Sequence, residues 1–318
     1  MHIKHRWSAR TAAGLVLFLA AACAWSAPRA HSWRLVDLGT LGGSGSFATA
    51  VSDNGFVAGC SNTPSGDVHA FLYRNGRMVD LAGDEAGNSC ALAVNGRGEA
   101  AGRNGSGELV VWSGNGVVAL GVKGNVGAMN DAGLVVGSYT ADGVERAFAW
   151  EGGTFRDLGA GPGSTANDVN ARGEIVGQAN GHAFAMLRDG VLRDLGTLGG
   201  NTSVANGINE RGQIVGMADT ALHRPTAFVY SGTMRQLAGP EFSGAVDVDN
   251  RGLVVSSAEG YYGYIVQGDA VTRLDKLPDV VAKGWHHMEP TDMNARGWIA
   301  GTGFDPEGNP RAFLLLPR

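Results

Sequence analysis

Apolar residues in this chain fall in runs of four to seven, rich in Val, Ile, Phe and Tyr, and Gly, Asn, Asp and Pro separate the runs. The pattern is clearest over residues 193–232. There the short segment Arg193-Asp194-Leu195-Gly196 is followed by the apolar segments 203–209, 213–217 and 226–230, with turn residues at Asn209 and Gly212. Runs of this length and composition between such breakers predict β-strands. No part of the unit keeps a 3.6-residue period over a helical length, so the chain is expected to be all-β.

The same unit recurs. The phrase Ile208-Asn209-Glu210-Arg211-Gly212-Gln213-Ile214-Val215-Gly216 has seven variants, with turn glycines at Gly55, Gly98, Gly133, Gly173, Gly212, Gly252 and Gly297. Successive spacings are 43, 35, 40, 39, 40 and 45 residues. Self-similarity near 40 residues identifies one supersecondary unit repeated along the chain. In the Asn-x-x-Gly turns the Asn is expected to cap the bend and the Gly to take positive φ, whereas Asn75-Gly76, Asn115-Gly116, Gly152-Gly153, Asp189-Gly190 and Gly268-Asp269 suit tight primed hairpins.

Four short strands repeated seven times predict a seven-bladed β-propeller of four-stranded antiparallel blades. The strand ending in an Asp-Leu-Gly-like triplet comes alone at the start (Trp33 to Gly39), and none follows the final strand Arg311–Leu315. The N-terminal strand is therefore expected to supply the outer strand of the last blade, which leaves no unpaired terminal edge. The alternative, a superhelical solenoid, needs capping repeats, and none is visible. Residues 31–318 read as a single domain.

Residues 1–30 read differently. His2, Lys4, His5, Arg6 and Arg10 precede an apolar run from Ala12 to Cys23 and then small residues, the order of a secretory signal peptide. In an alternative reading Cys23 becomes a lipidated N-terminus, with Ala20 standing where a large aliphatic residue is usual. Of the 25 basic residues, cleavage after Ser26 would remove Lys4, Arg6 and Arg10, leaving 22 against 30 acidic residues, a net charge of −8. No basic stripe remains to favour a nucleic-acid partner, and no other apolar run is long enough to cross a bilayer. Such a chain is expected to be exported, to the periplasm or beyond the cell. Cys60 and Cys90 remain, at adjacent blade ends in the repeat alignment, and an even number in an exported protein suggests a disulfide.

A further triplet recurs as His69-Ala70-Phe71, Arg146-Ala147-Phe148, His182-Ala183-Phe184, Thr226-Ala227-Phe228 and Arg311-Ala312-Phe313. Together with Asp194-Leu195-Gly196-Thr197-Leu198-Gly199-Gly200 and the Asn-x-x-Gly-x-Ile-Val-Gly phrase, it makes residues 33–318 resemble the HAF family of probable extracellular repeat proteins. The resemblance implies a secreted bacterial repeat protein with a propeller fold and no established activity, and it carries no catalytic residues. Glu108-Leu109-Val110-Val111 and Tyr262-Gly263-Tyr264-Ile265 depart from the triplet.

Candidate chemistry is sparse. The connections 61–68, 138–145, 217–225, 302–310 and 275–290 share one face, vary in length, and are where binding is expected on a rigid scaffold. The last holds Trp285, His286, His287 and Glu289. Trp285 suits stacking on a sugar or apolar group, or plain packing. The histidines with Glu289 and Asp292 are ligand types for a metal, but no recognised ligand spacing is present. Asp168, Asp247 and Asp292 align on the innermost strands, where they either ring a channel around a cation or water, or bond to neighbouring backbone. There is no Gly-x-Ser-x-Gly elbow or Walker loop, and no cofactor is expected. The expected function is non-catalytic binding of an envelope polysaccharide or protein through the loop-rich face. The alternatives are a hydrolase or lyase using these histidines or aspartates, with or without a metal, and an assembly scaffold.

Overall fold

The computed structural model describes residues 32–83, 87–258 and 262–318. The leader read over residues 1–30, with Cys23, lies outside them. Strand β1 (Trp33–Asp37) is followed by β2 (Ser46–Val51), β3 (Val57–Asn62), β4 (Val68–Arg74) and β5 (Arg77–Asp80), and these last four form an antiparallel sheet. Strands β6 (Cys90–Val94), β7 (Ala100–Arg103), β8 (Glu108–Ser113), β9 (Gly116–Met129), β10 (Val135–Ala141), β11 (Val144–Glu151) and β12 (Thr154–Asp157) form one seven-stranded sheet. A four-stranded sheet follows from β13 (Thr165–Val169), β14 (Ile175–Ala179), β15 (His182–Met186) and β16 (Leu192–Asp194). The next comprises β17 (Gly199–Ile208), β18 (Ile214–Thr220), β19 (Pro225–Tyr230) and β20 (Met234–Gln236). Another comprises β21 (Ser243–Val248), β22 (Val254–Ala258), β23 (Tyr262–Gln267) and β24 (Ala270–Arg273). A short helix α1 (Pro278–Ala282) then precedes β25 (His286–Met293), β26 (Ile299–Phe304) and β27 (Pro310–Pro317), and β1 completes this last sheet in the order β1-β27-β26-β25.

The repeat phrase now has a physical explanation. In each Asn turn the side-chain oxygen accepts from backbone two and four residues on, as Asn209 Oδ1 does from Arg211 N (2.9 Å) and Gln213 N (3.0 Å). The turn then closes at Gly212 with φ +76. The final Gly of the phrase serves packing instead. Gly59, Gly137, Gly177, Gly216 and Gly301 stand opposite Phe71, Phe148, Phe184, Phe228 and Phe313. A Cβ on Gly59 would lie 2.0 Å from Phe47 O and 2.7 Å from the Phe71 ring. Where the phenylalanine is replaced by Tyr264, the opposite residue is Ser256. The Asp-Leu-Gly triplet is only partly strand: Asp37, Asp80, Asp157 and Asp194 end their strands and accept from backbone two residues on, an Asx turn.

Among the described residues each apolar cluster is shared by consecutive repeats, and all but one, which lies within the seven-stranded sheet, join two sheets. Val176, Ala183 and Ala185 pack with Ala205, Ile208 and Phe228. Leu38, Val57 and Phe71 of the chain's first part pack with Ala300, Ala312 and Leu314 of its last. Two features depart from the expectation. The second and third repeats share β9, which pairs with β8 through residues 116–123 and with β10 through residues 124–129. A spacing of only 35 residues leaves no chain for a loop between outer and inner strand, so one strand does both. The stretch 275–290 is also not a loop throughout: it holds α1, and β25 begins at His286.

Candidate functional site

Strands β2, β6, β9, β13, β17, β21 and β25 together line a cavity of about 240 Å³, β9 from the middle of the seven-stranded sheet. Every one has a register irregularity against the strand that follows it, at a residue such as Thr49, Asn167, Asn206 or Thr291. These four side chains use the extra room to reach the next group. Thr49 Oγ1 donates to Ala91 O (2.8 Å), Asn167 Nδ2 to Ala205 O (2.8 Å), Asn206 Nδ2 to Ala245 O (2.8 Å) and Thr291 Oγ1 to Ala48 O (3.0 Å).

One residue further on stand Asp168, Asp247 and Asp292. The structure brings them to the cavity, and each accepts from a backbone N–H of another sheet. Asp168 Oδ2 accepts from Ile208 N (2.7 Å), Asp247 Oδ2 from Met293 N (3.3 Å) and Asp292 Oδ2 from Val51 N (2.7 Å). The remaining oxygens accept from the residue next in chain: Val169 N, Val248 N and Met293 N. Burial pushes Asp168 up to about 7, against the lowering effect of the Ile208 N–H. Burial likewise raises Asp292 to about 6. Asp247 is raised well above the ordinary carboxylate value, first by burial and then by the charges of Asp168 and Asp292. The bonds to neighbouring backbone that the sequence allowed for these aspartates are present.

A second acidic tier at the turns carried no signal in the repeat phrase. Asp53 Oδ1 accepts from Ala295 N (2.9 Å), Asp131 Oδ1 from Gly96 N (2.6 Å) and Glu210 Oε1 from Ala171 N (2.8 Å). All three line the same cavity.

At the other end of the sheets, the candidates of 285–289 separate. Trp285 is only 6% exposed and packs with Trp33, Leu35, Leu277, Val280 and Met288. It offers no stacking platform, and its apolar body holds the 274–285 insertion on the sheet. That insertion covers β1: Leu35 N donates to Asp279 Oδ2 (2.8 Å), and Lys283 Nζ donates to Leu35 O (2.6 Å) and to Asp279 Oδ2 (2.8 Å). His286 and His287 lie in β25, not in a loop, and His287 has φ +49. Their rings meet edge-on at 5.1 Å within one aromatic cluster, His287 stacking on Tyr262 at 5.4 Å and His286 on Phe304 at 5.7 Å. The Arg273 guanidinium lies 4.0 Å above the Tyr262 ring. Glu289 is half-buried, which raises its pKa. Among the described residues no three His, Cys, Asp or Glu side chains converge as a metal site, so His286, His287, Glu289 and Asp292 are not brought together.

The exposed large apolar residues are unevenly placed. Phe47, Met217, Leu222, Phe242, Val281 and Phe304 sit toward the variable connections, whereas Val117, Val118, Val191 and Val271 lie toward the opposite ends. Among the described residues every exposed aromatic, Met and Leu is thus at one face. Sequence composition did not mark them, because they lie far apart along the chain, in or beside four sheets and in α1. Cys60 and Cys90 form a disulfide with Cα atoms 4.9 Å apart, joining β3 to β6.

No family model matches the chain, and no curated protein matches it in sequence. Solved structures do match in shape. One described as YCF48 bound to a D1 peptide superposes with a TM-score of 0.53 at 12% identity, covering 89% of this chain and 95% of that one. TolB from Acinetobacter baumannii gives 0.41 at 14% identity, covering 83% and 80%. A glucose dehydrogenase-like putative oxidoreductase from Thermus gives 0.41 at 11% identity, covering 90% and 100%. At these identities the likeness is one of fold, and the chain is propeller-like. No helix among the described residues is long and apolar enough to cross a membrane.

Proposed function

We propose that this chain is a seven-bladed propeller of the HAF type, exported, and that it binds a protein or peptide through the face carrying Phe47, Met217, Leu222, Phe242 and Phe304. The blade count follows from dividing the seven-stranded sheet at β9, so that each inner strand heads four strands. The Cys60–Cys90 bridge agrees with export to an oxidising compartment. The observation that carries the binding reading is the segregation of exposed aromatic, Met and Leu side chains to one face. Apolar groups left in water at one end of a scaffold mark an interaction surface. A protein is favoured over a polysaccharide because this face exposes the unbranched and aliphatic side chains Met217 and Leu222 beside its rings, while Tyr262 is engaged by Arg273 and His287 and Phe304 stacks with His286. The YCF48 structure of similar fold carries a peptide, which supports the same class of partner.

A photo-crosslinking residue placed singly at Phe242, Phe304, Val117 or Val191 in the expressing cell tests this. Protein adducts from the first two positions alone support the reading. Equal labelling of both ends, or selective capture of envelope polysaccharide by the purified protein without adducts, overturns it.

A further inference from the structure

We propose that Asp168, Asp247 and Asp292 form a proton-linked lock on the central cavity: protonated, they tie neighbouring sheets together, and on ionising they repel and loosen those seams. The geometry favours a proton. Asp292 Oδ1 (2.9 Å) and Asp247 Oδ2 (3.3 Å) both accept from the single N–H of Met293, which brings the two carboxyls together at one donor. One backbone donor does not neutralise two anions, and of two carboxyls drawn to one donor the like charge raises at least one, which keeps its proton. No described side chain lining the cavity supplies positive charge. The other titratable groups lining it are Asp53, Asp131 and Glu210, and no described lining residue is Lys, Arg or His. Arg172 and Arg251, on the adjoining turns, are engaged by Glu174 and Asp249. At the equivalent positions of the other inner strands stand Ala50, Ala93, Ala128 and Gly207, so strand geometry alone does not demand a carboxylate.

The raised values of all three groups agree with this and set the direction of the effect. A carboxyl whose folded pKa lies above its unfolded value near 4 holds a proton that the unfolded chain releases. Its stabilising contribution is complete below the unfolded pKa and is lost as pH rises through about 6 to 7. Carboxylates lowered by folding, such as Glu99, Glu174 and Asp305, stay ionised between pH 5.5 and 8 and do not oppose the change there.

The test compares the whole protein with Asp168→Asn, Asp247→Asn and Asp292→Asn, singly and together, since Asn matches the shape of the protonated acid. Wild type is expected to melt lower at pH 8 than at pH 5.5 by on the order of 5 °C, and the triple variant to lose most of that dependence and melt higher at pH 8. Infrared difference spectra of wild type at pH 6 should show a protonated carboxyl stretch that is lost by pH 8. A triple variant with the wild-type pH dependence, or a wild type without that stretch at pH 6, overturns the proposal. The spectrum decides on wild type alone if the triple variant does not fold.

Discussion

The side chain of Asn294 donates through Nδ2 to Ser52 O at 2.9 Å, across 242 residues of sequence. Asn130 makes the same bond to Asn170 O (3.0 Å) and Asn209 to Asp249 O (2.9 Å), each across 40 residues. One bond type thus joins successive turns and also joins the last sheet to the first. The Asp249 side chain has no N–H to give, and there Arg251 Nη2 reaches Arg296 O instead (3.2 Å).

Replacing Asn294 by Asp should keep the turn, because Oδ1 still accepts from Arg296 N and Trp298 N, but should lose the donor to Ser52. The expected destabilisation is about 1–3 kcal/mol, the range for a buried acceptor left unsatisfied. Urea unfolding of Asn294→Asp beside Asn130→Asp measures it. Equal losses identify the long-range bond with its local counterparts.

Deleting Trp33–Asp37 uncovers the outer edge of β27 and removes two buried apolar side chains, Trp33 and Leu35. Burial of side chains this size is worth about 1.5–3 kcal/mol each, so the melting temperature should fall by on the order of 10 °C. Asp279→Ala should lose far less, about 1 kcal/mol, because its pair with Lys283 is partly exposed. Thermal melts of both variants check the ranking.

Cys60→Ser with Cys90→Ser opens a loop of 30 residues. The chain-entropy estimate for a loop of that size is about 3 kcal/mol. Unfolding free energies of wild type with and without reductant, from denaturant titrations, should differ by the same amount, while the double variant should ignore reductant.

Trp285→Ala is expected to act on stability, by about 3–5 kcal/mol as for other buried aromatic truncations. Binding per folded molecule should persist, whereas Phe304→Ala should leave the melt within about 1 kcal/mol of wild type and weaken binding. Paired melts and binding titrations distinguish the two.

The sequence was sufficient for whatever depends on neighbours in chain. Asn209 and Gly212 mark a turn because a side-chain cap and a positive φ are local requirements, and the pairing of β1 with β27 could be counted from strand types along the chain. Cys60 and Cys90 could be aligned because the repeat sets their heights in adjacent units. Contacts between repeats lay beyond it. That Asn170 caps its own turn was legible; that its Nδ2 reaches Asn209 O depends on how two sheets pack. Trp285 beside two histidines read as a surface cluster, but Trp33 and Leu35, some 250 residues away, bury it. The convergence of Asp247 and Asp292 on one N–H came only with the tertiary structure, because 45 residues of chain separate them and only the packing of inner strands around a shared cavity sets their distance.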